Sequence, residues 1–330
     1  FSEDWWWQRN FKSFLVRPYS IFIARYSDSI LAASSRTRNF FINLGVDPTK
    51  IFLAFNATEN LGGNVGFVKE NKFVVLYLGR IVKYKGLDVL IRAFARLEAD
   101  RSNTELLIVG NGDFKPHCFK LIKDLGVKNI RFVDRVSPDD AKQYYEQAHC
   151  FVLPARFLWN SDVPAEAWGF TINEAMSCGL PVIATEAVAA VDDLVEDGVT
   201  GFKISVEDER GLFEKLSLLY HNQSLQEKLG KAAQEKIKDF TPLKQFSVFA
   251  LALKSDLTDI GQTKAATQSV HGWLSDKEGE CLYHLARASA ESVVEIGSWQ
   301  GKSTIWLAKG SMVGQQVKVY AIDPHTGAPE

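Results

Sequence analysis

The chain has 330 residues, which is enough for two domains or for one domain and parts of others. Its formal net charge of −2 lacks the basic excess of nucleic-acid-binding proteins, so we expect no nucleic-acid partner. No apolar run is long enough to span a bilayer and no signal peptide is visible, so we expect a cytoplasmic protein. The four scattered cysteines form no C-x-x-C pair and fit reduced thiols.

Residues 1–70 begin with Trp5-Trp6-Trp7 in an aromatic and basic stretch. Such a stretch can dock on anionic lipid, which would give peripheral contact with a membrane, but packing against another part of its own domain is the favoured explanation. The patterns that follow predict a strand, a helix, a second strand and a glycine-containing linker, at 29–33, 36–44, 51–55 and 60–66. The chain lacks an initial Met and stops just after a strand, so we expect a fragment whose first 70 residues end an N-terminal domain.

Residues 71–255 alternate short, continuous apolar runs with helical patterns. The apolar runs predict strands at 73–77, 106–109, 130–133, 150–153, 182–184 and 201–204. A helix is predicted at 87–97, and a helical tail at 209–254. This alternation favours an α/β domain with a parallel sheet covered on both faces, in which ligands bind at the carboxyl ends of the strands.

Residues 256–272 are polar and poor in large apolar side chains, which predicts a linker. From residue 273 the pattern predicts a β-α-β unit that opens a second α/β domain. Its elements are a leading helix at 276–288, strands at 292–296 and 318–322, and a crossover helix at 303–309.

Two carboxylates, Glu166 and Glu174, bracket a Gly-aromatic turn where a loop becomes a helix. A helix start offers free backbone N–H groups and a positive dipole end, which suit an anionic ligand. The carboxylates would accept hydrogen bonds from hydroxyl groups, so the site suits a ligand with both phosphates and hydroxyls, such as a nucleotide sugar. Thr171-Ile172-Asn173-Glu174 also fits a capping box, in which Glu174 only stabilises the helix.

Two cations, Arg80 and Lys85, follow the strand predicted at 73–77. At the carboxyl end of a parallel strand they can neutralise a diphosphate, Arg as a fork of donors and Lys as a point charge. Two solvated surface cations are the alternative. The two carboxylates expected on the same sheet edge favour the binding site.

Four motifs follow one another along the chain: Gly79-Arg80-x4-Lys85-Gly86, Gly110-Asn111-Gly112, Glu166-x7-Glu174 and Gly179-x-Pro181-Val182-Ile183-Ala184. Together, over roughly residues 28–250, they resemble the C-terminal domain of GT-B, family-4 retaining glycosyltransferases. The resemblance implies GT-B-type, Rossmann-like parallel-sheet domains. Residues 71–255 would bind the nucleotide-diphosphate sugar, and most of the acceptor-side domain would lie outside the chain.

The resemblance also implies a role for each matching residue. Arg80 and Lys85 would hold the donor diphosphate and stabilise the charge that develops as it leaves. Glu166 would bind hydroxyls of the donor sugar, and these three are the expected catalytic residues. Glu174 would bind the ribose, and the backbone at Gly169, Phe170 and Thr171 would contact sugar or phosphate. Enzymes of this fold need no divalent metal, and the chain has no convincing D-x-D motif, so no metal is expected.

The chain departs from this family in two places. Residues 155–165 form a longer segment that contains Trp159, and Ala187-Val188-Ala189-Ala190-Val191 stands where the family often has glycines. The second departure motivates an alternative from another class, a non-catalytic nucleotide-sugar-binding or scaffolding module in glycan assembly. A nucleotide-sugar epimerase is disfavoured, because the chain has no N-terminal G-x-G-x-x-G followed by a Tyr-x-x-x-Lys pair.

A second glycine turn joins the strand and helix predicted on either side of residue 300. Gly297 and Gly301 enclose three residues where a P-loop has four, so a P-loop is excluded. An acidic residue, Asp323, ends the next strand, where it would suit ribose hydroxyls. A purely structural β-α turn, with Ser303 capping the helix, is the alternative.

Over about residues 272–327 this pattern resembles class I S-adenosylmethionine-dependent methyltransferases. The resemblance implies a truncated Rossmann-like methyltransferase domain over 273–330. Gly297 and Gly301 would let S-adenosylmethionine approach the backbone, Glu295 would support its amino acid end, and Asp323 would bind its ribose. The leading hypothesis is therefore a glycosyltransferase that acts on a glycan or lipid-linked acceptor and is fused to a methyltransferase.

Overall fold

The computed structural model describes residues 29–62, 72–157, 166–252, 260–270, 274–296 and 301–322, together with residues 22, 24, 26 and 27. The chain divides into two compact units. The first contains residues 33–45 and 55–241, and the second contains residues 27–32, 46–54 and the chain from 242 onward. Trp5-Trp6-Trp7 lies outside the described residues.

The strands of the described residues pair only in parallel, in three sheets. In chain order they are Ile30–Ala32 (β1), Ile51–Leu53 (β2), Phe73–Leu78 (β3), Thr104–Val109 (β4), Ile130–Val133 (β5), Cys150–Leu153 (β6), Val182–Thr185 (β7), Gly201–Ile204 (β8), Val293–Ile296 (β9) and Val319–Ile322 (β10). The six strands of the first unit form one sheet in the order β5-β4-β3-β6-β7-β8. The two other sheets are the pairs β1-β2 and β9-β10.

The α-helices alternate with these strands. They are Ser35–Asn43 (α1), Leu87–Asp100 (α2), Lys115–Leu125 (α3), Pro138–Gln147 (α4), Phe170–Ser177 (α5), Val191–Leu194 (α6), Glu209–His221 (α7), Gln223–Ile237 (α8), Pro242–Ala252 (α9), Ile260–Thr267 (α10), Asp276–Ala288 (α11) and Lys302–Val313 (α12). The predicted alternation of strands and helices is therefore confirmed. The predicted single helical tail is three helices, because the Asn222 side chain accepts a hydrogen bond from the Leu225 N–H (2.9 Å) and starts a new helix, and Pro242 starts another.

The core of the first unit lies on both faces of its sheet. Alternate strand residues point to opposite faces, so Leu76 and Phe151 belong to one cluster while Val75 and Val152 belong to the other. Side chains from α4, α5, α6 and α8 contribute to the first cluster, and side chains from α2, α3 and α7 to the second. Burial on two faces explains why the strands are continuous apolar runs.

The strand order changes direction at β3. From β3 the chain moves outward through β4 and β5, then returns through α4 to β6 on the other side of β3 and continues outward to β8. The helices that follow β3 and β6, α2 and α5, therefore pack on opposite faces of the sheet. In open parallel sheets such a change of direction creates a crevice at the carboxyl ends of the strands. Ligands of open parallel sheets bind at such a point.

The second unit corrects the prediction of a linker over 256–272. Helix α10 occupies part of this stretch, with Ile260, Thr263 and Thr267 buried. The small side chains that made the composition resemble a linker allow a helix to pack closely against α11 and α12. The predicted β-α-β order is present, with β9 and β10 in register from Val293↔Val319 to Ile296↔Ile322.

Gly86 and Gly126 provide a matched test of how tightly the β3 and β6 loops approach. Both have left-handed backbone, at φ values of 71° and 68°. A Cβ on Gly86 would lie 1.8 Å from the carbonyl oxygen of Pro154, whereas a Cβ on Gly126 would meet nothing within 4 Å. We expect Gly126→Ala to cost about 1–2 kcal/mol from the backbone alone.

Gly86→Ala should cost that amount and about 1–3 kcal/mol more, because a backbone carbonyl must move. The measurement is urea unfolding of both variants and the wild type. Equal losses for the two variants would show that the backbone at Pro154 accommodates a Cβ at position 86 without cost.

Candidate active site at the carboxyl edge of the six-stranded sheet

The loops after β3, β4 and β6 meet at the carboxyl edge of the sheet. A Cβ on Gly110 would lie 1.9 Å from the Gly79 carbonyl oxygen, so the β3 and β4 loops touch backbone to backbone. Gly86 makes the corresponding approach to Pro154, after β6. Glycine at these positions allows three loops to converge at the crevice beside β3.

Lys85 and Glu166 form an ion pair in this crevice. Lys85 ends a 3-10 turn, Lys83–Lys85, and is only 7% exposed, although it carries a charge. Its ammonium group donates to Oε2 of Glu166, whose side chain is 19% exposed. Two residues that are 81 positions apart in the chain are therefore brought together, as the sequence predicted for one sheet edge. A mostly buried ammonium group needs an anionic partner close by, and Glu166 supplies one.

Backbone pairing holds Glu166 against the segment that follows β7. Glu166 forms a parallel bridge with Val188, and the Ala189 N–H donates to the Glu166 carbonyl at 3.1 Å. The Ala190 N–H donates to the Trp168 carbonyl at 3.0 Å. All five residues of Ala187–Val191 are fully buried. The small apolar residues that departed from the family pattern therefore form a close-packed support for the loop that carries Glu166.

Helix α5 begins beside this loop at a left-handed glycine. Gly169 has φ 102°, and a Cβ there would lie 2.7 Å from Cγ1 of Val188. The helix starts at Phe170, so Gly169 is its N-cap and makes no side-chain cap. The capping-box interpretation of Thr171 and Glu174 is therefore wrong, because the helix begins two residues before the position that it requires.

The first turn of α5 contains polar groups that the helix itself does not satisfy. The Oγ1 atom of Thr171 is buried and has no hydrogen-bond partner among the described residues. Phe170 is 46% exposed, although it is aromatic. The first N–H groups of any helix also lack intrahelical acceptors. Together these groups can receive the oxygen atoms of an anionic ligand.

Glu174 lies one turn further along α5 in a different environment. The hydroxyl of Tyr145, from α4, donates to Oε2 of Glu174 at 2.6 Å. Burial raises the pKa of the Glu174 carboxyl, and the Tyr145 hydrogen bond offsets this only in part. A neutral donor thus accompanies Glu174, whereas a cation accompanies Glu166.

Arg80 lies at the exposed rim of the site. Its Nη2 donates to the hydroxyl of Tyr84, and its guanidinium carbon lies 5.8 Å from the centre of the Tyr84 ring. Within the described residues, the guanidinium of Arg80 therefore has its hydrogen bond with Tyr84 and with neither carboxylate. Its exposed guanidinium can still turn toward a ligand above the crevice.

Sequence reasoning missed two groups of residues around the site. Asn173 is fully buried, and its Oδ1 accepts from the Trp168 indole N–H at 2.9 Å, which fixes the turn before Gly169. Arg156, after β6, contacts Asp88 and Glu207. The partners of Arg156 are distant in sequence, and Asn173 lies within the helical pattern of α5. No local pattern therefore marks either residue.

Neither a metal cluster nor a membrane span is found in the described ranges. No group of three or more His, Cys, Asp or Glu side chains among those residues could hold a metal ion. None of the helices in that part of the chain combines the length and apolar character needed to cross a bilayer.

Comparison with known proteins now identifies the family. The family model for "Glycosyl transferases group 1" matches residues 64–236, just over half of the chain. The chain belongs to this family. The matched residues include Arg80, Lys85, Glu166 and Glu174, and they end before the β9-α12-β10 unit.

Individual relatives of this glycosyl transferase group 1 chain carry sugar-transferase names. "Sulfoquinovosyl transferase SQD2" of Arabidopsis thaliana is 29% identical over 246 residues, which cover 69% of this chain and 45% of the relative. "N-acetylgalactosamine-N,N'-diacetylbacillosaminyl-diphospho-undecaprenol 4-alpha-N-acetylgalactosaminyltransferase" of Campylobacter jejuni is 26% identical, over 72% of this chain and 63% of the relative. The chain spans about half the length of the curated relatives it matches.

Solved structures identify the fold as an α/β, GT-B-like arrangement with a parallel sheet. The Anabaena protein HepE, in complex with UDP, matches with a TM-score of 0.62 and 21% identity, over 77% of this chain and 71% of that protein. S. aureus TarM, in complex with UDP among other ligands, matches with a TM-score of 0.60 and 19% identity, over 72% of this chain and 46% of that protein.

The second predicted site is only partly described. Gly297 and Asp323 lie outside the described residues. Gly301 has φ 79° and is the N-cap of α12. Both carboxylate oxygens of Glu295 accept hydrogen bonds from that helix, one from the Ser303 hydroxyl and the other from the Thr304 hydroxyl. These bonds tie the end of β9 to the start of α12 and account for Glu295 without a ligand.

The environment of Glu174 predicts a pH-dependent effect on stability. Because burial raises its pKa in the folded protein, the folded state binds more protons there than the unfolded state. Stability therefore falls as the pH rises from the ordinary pKa of 4.5 to the raised pKa of the folded protein. Glu174→Gln removes this charge and keeps an acceptor for Tyr145. We expect its thermal midpoint at pH 7 to equal or exceed that of the wild type.

The difference in thermal midpoint between Glu174→Gln and wild type should shrink as the pH falls from the raised pKa of Glu174 toward the ordinary value of 4.5. Glu214→Gln is the control, because it removes an exposed carboxylate of α7. It should change the free energy of unfolding by no more than about 0.5 kcal/mol. A lower midpoint for Glu174→Gln at pH 7 would show that the charge itself stabilises the fold.

Proposed function

We propose that the chain is the donor-binding part of a retaining, metal-independent glycosyltransferase. It moves a sugar from a nucleotide-diphosphate sugar to a glycan or lipid-linked acceptor. The observation that carries the proposal is the mostly buried Lys85–Glu166 ion pair, which lies in the crevice beside β3. A structural ion pair has no need of that position, and a buried pair gives little net stability.

The pair is suited to exchange its partners when the donor binds. Phosphate oxygens would take the Lys85 ammonium, and hydroxyls of the donor sugar would take the Glu166 carboxylate, so neither charge would remain unpaired. Arg80, at the rim, would supply further donors to the diphosphate. As the bond between sugar and diphosphate breaks, negative charge grows on the leaving phosphate, and the two cations stabilise it.

The start of α5 would complete the donor site. The backbone N–H groups of Gly169 and Phe170 would contact phosphate or sugar oxygens, as would the Thr171 hydroxyl, which has no hydrogen-bond partner among the described residues. Glu174 would accept hydrogen bonds from the ribose hydroxyls while Tyr145 holds its other side. The names of the relatives support the same donor and acceptor classes, since UDP occupies HepE and the Campylobacter relative is named for an undecaprenol-linked acceptor.

A lipid-linked acceptor would bring the enzyme to the inner face of a membrane as a peripheral, cytoplasmic protein. Co-sedimentation of the complete protein with anionic liposomes tests this part of the proposal. Protein that stays in the supernatant would remove the membrane contact and leave the transfer reaction untouched.

The transfer reaction is tested with a radiolabelled donor assay on the complete protein. We expect Lys85→Ala to lower kcat/KM by about 100-fold or more, because it removes a charge that stabilises the transition state. Glu166→Ala should also abolish most transfer. Lys83→Ala is the matched control: Lys83 is an exposed lysine of the same turn, and its loss should change kcat/KM less than about threefold.

Two outcomes would contradict the proposed glycosyltransferase activity. Transfer that survives both Lys85→Ala and Glu166→Ala would place the chemistry elsewhere. Calorimetry that detects nucleoside diphosphate binding without any turnover would favour the alternative, a binding or scaffolding module. The Ala-rich segment that motivated this alternative now has a structural explanation, because it supports the loop of Glu166.

A second activity, an S-adenosylmethionine-dependent methyltransferase, is a separate proposal for residues 273–330. It is supported by the parallel β9-α12-β10 unit and the left-handed glycine at the start of α12. When bound, S-adenosylmethionine would supply the methyl group. Gly297, Gly301 and Asp323 would hold it, while Glu295 braces the glycine turn through Ser303 and Thr304.

Equilibrium dialysis of the complete protein with radiolabelled S-adenosylmethionine tests this second activity. We expect binding that Asp323→Ala weakens by about tenfold or more, since a carboxylate bonded to ribose hydroxyls is lost. No binding at millimolar S-adenosylmethionine would overturn this part of the proposal and leave the glycosyltransferase unaffected.

A further inference from the structure

Arg156 follows β6 and uses all of its donors within the protein. Its Nη1 donates to the Lys83 carbonyl at 2.6 Å and to Oδ1 of Asp88 at 2.8 Å. Its Nη2 donates to Oδ2 of Asp88 at 2.9 Å and to Oε2 of Glu207 at 3.0 Å. Its Nε donates to Oε1 of Glu207. A guanidinium group has five N–H donors, so none remains for a ligand.

These contacts fall on both sides of Lys85. Lys83 lies before it in the 3-10 turn, and Asp88 lies after it in the first turn of α2. The Arg156 backbone N–H also donates to the Tyr84 carbonyl at 2.7 Å. Residues 83, 84 and 88 are thus tied to one arginine, and Lys85 lies between them.

The same contacts extend to Arg80. Tyr84, whose carbonyl is held by the Arg156 backbone, accepts a hydrogen bond from the Arg80 guanidinium through its hydroxyl. On the far side, Glu207 has the left-handed φ of 62° that is unusual for a residue other than glycine, and its carboxylate is held by Arg156. The loops after β3, β6 and β8 are therefore joined through one side chain.

Arg156 keeps its charge in this setting. Burial alone would lower the pKa of its guanidinium, but the carboxylates of Glu207 and Asp88 outweigh burial and raise it. The bidentate geometry with Asp88 needs a planar fork of donors, which a lysine cannot reproduce.

We propose that Arg156 is a positioning residue that sets the Lys85 ammonium at the donor diphosphate. The role rests on the proposed function of the site. Arg156 itself touches no substrate. Its loss leaves Lys85 in the protein but releases the turn that carries it.

The first test is kinetic and uses Arg156→Lys and Arg156→Gln in the complete protein. We expect kcat/KM for the donor to fall by about 10- to 100-fold, since small misplacements of a catalytic group have effects of this size. In a Lys85→Ala background, Arg156→Lys should add less than about twofold. Independent losses in the two backgrounds would overturn the proposal, because a residue that only stabilises the fold would act equally in both.

The second test does not depend on transfer. Lys85 is labelled with an amine-reactive reagent under native conditions, and mass spectrometry compares its labelling with that of exposed Lys83. Arg156→Lys should raise the labelling of Lys85 at least about fivefold relative to Lys83. Arg210→Lys is the matched control, since Arg210 pairs with Glu214 on the exposed face of α7, and it should leave the ratio unchanged.

The two tests separate the two proposals. If Arg156→Lys raises the Lys85 labelling ratio but the complete protein transfers no sugar, the proposed glycosyltransferase is contradicted and the positioning role is supported. An unchanged ratio together with normal transfer would sink the positioning role and keep the enzyme.

Discussion

The ion pair between Lys85 and Glu166 imposes the strictest requirement on the structure around it. Lys85 is only 7% exposed, so its ammonium group has lost most of its hydration. Glu166, its ion-pair partner among the described residues, must be held at contact distance to offset that loss. Neither residue lies in a strand or in a regular α-helix. The pair is therefore only as well placed as the two loops that carry it, and the neighbouring features can be understood as supports of those loops.

Each loop is supported in its own way. The Lys85 turn is fixed by the close approach of Gly86 to Pro154 and by the contacts of Arg156 on either side. The Glu166 loop is fixed by backbone pairing with Val188 to Ala190, which are too small to keep the two segments apart. One loop thus depends on charge and hydrogen bonds to a side chain, and the other on backbone bonds and dense apolar packing. Substitutions should affect the two halves of the pair through different physical terms.

Sequence reasoning succeeded where the controlling interactions are local or periodic. Continuous apolar runs such as 150–153 predicted buried parallel strands with correct bounds. The sheet logic then placed Lys85 and Glu166 at one edge, and the structure brings them into contact. The two interpretations that the structure overturns have one origin, since neither composition nor a short motif carries information about packing. Thr171-x-x-Glu174 was compatible with a cap until Gly169 took that position, and the polar stretch at 256–272 was compatible with a linker until its small side chains packed as α10.

Arg156 lay beyond the reach of such reasoning for a different reason. Its partners are separated from it by 51 to 73 positions in the chain, and none forms a recognisable motif with it. Its importance arises only when the β3, β6 and β8 loops are folded to one edge. Long-range bonding of this kind is a property of the tertiary structure alone.

The support of Glu166 continues beyond the sheet to helix α1. The Ser35 N–H donates to Oδ2 of Asp193 at 3.0 Å, and Arg36 donates to Asp192 at 2.7 Å and to the Glu186 carbonyl at 3.2 Å. These acceptors flank Ala187–Val191, the segment that pairs with Glu166. The Arg36–Asp192 pair is partly exposed, so it adds about 0–1 kcal/mol to stability. The pair contributes more to orientation than to stability. Burial already holds the Ala-rich segment in place, and the polar contacts determine which part of α1 packs against it. Residues on the N-terminal side of the chain are in this way connected, through one short buried segment, to the carboxylate at the centre of the site.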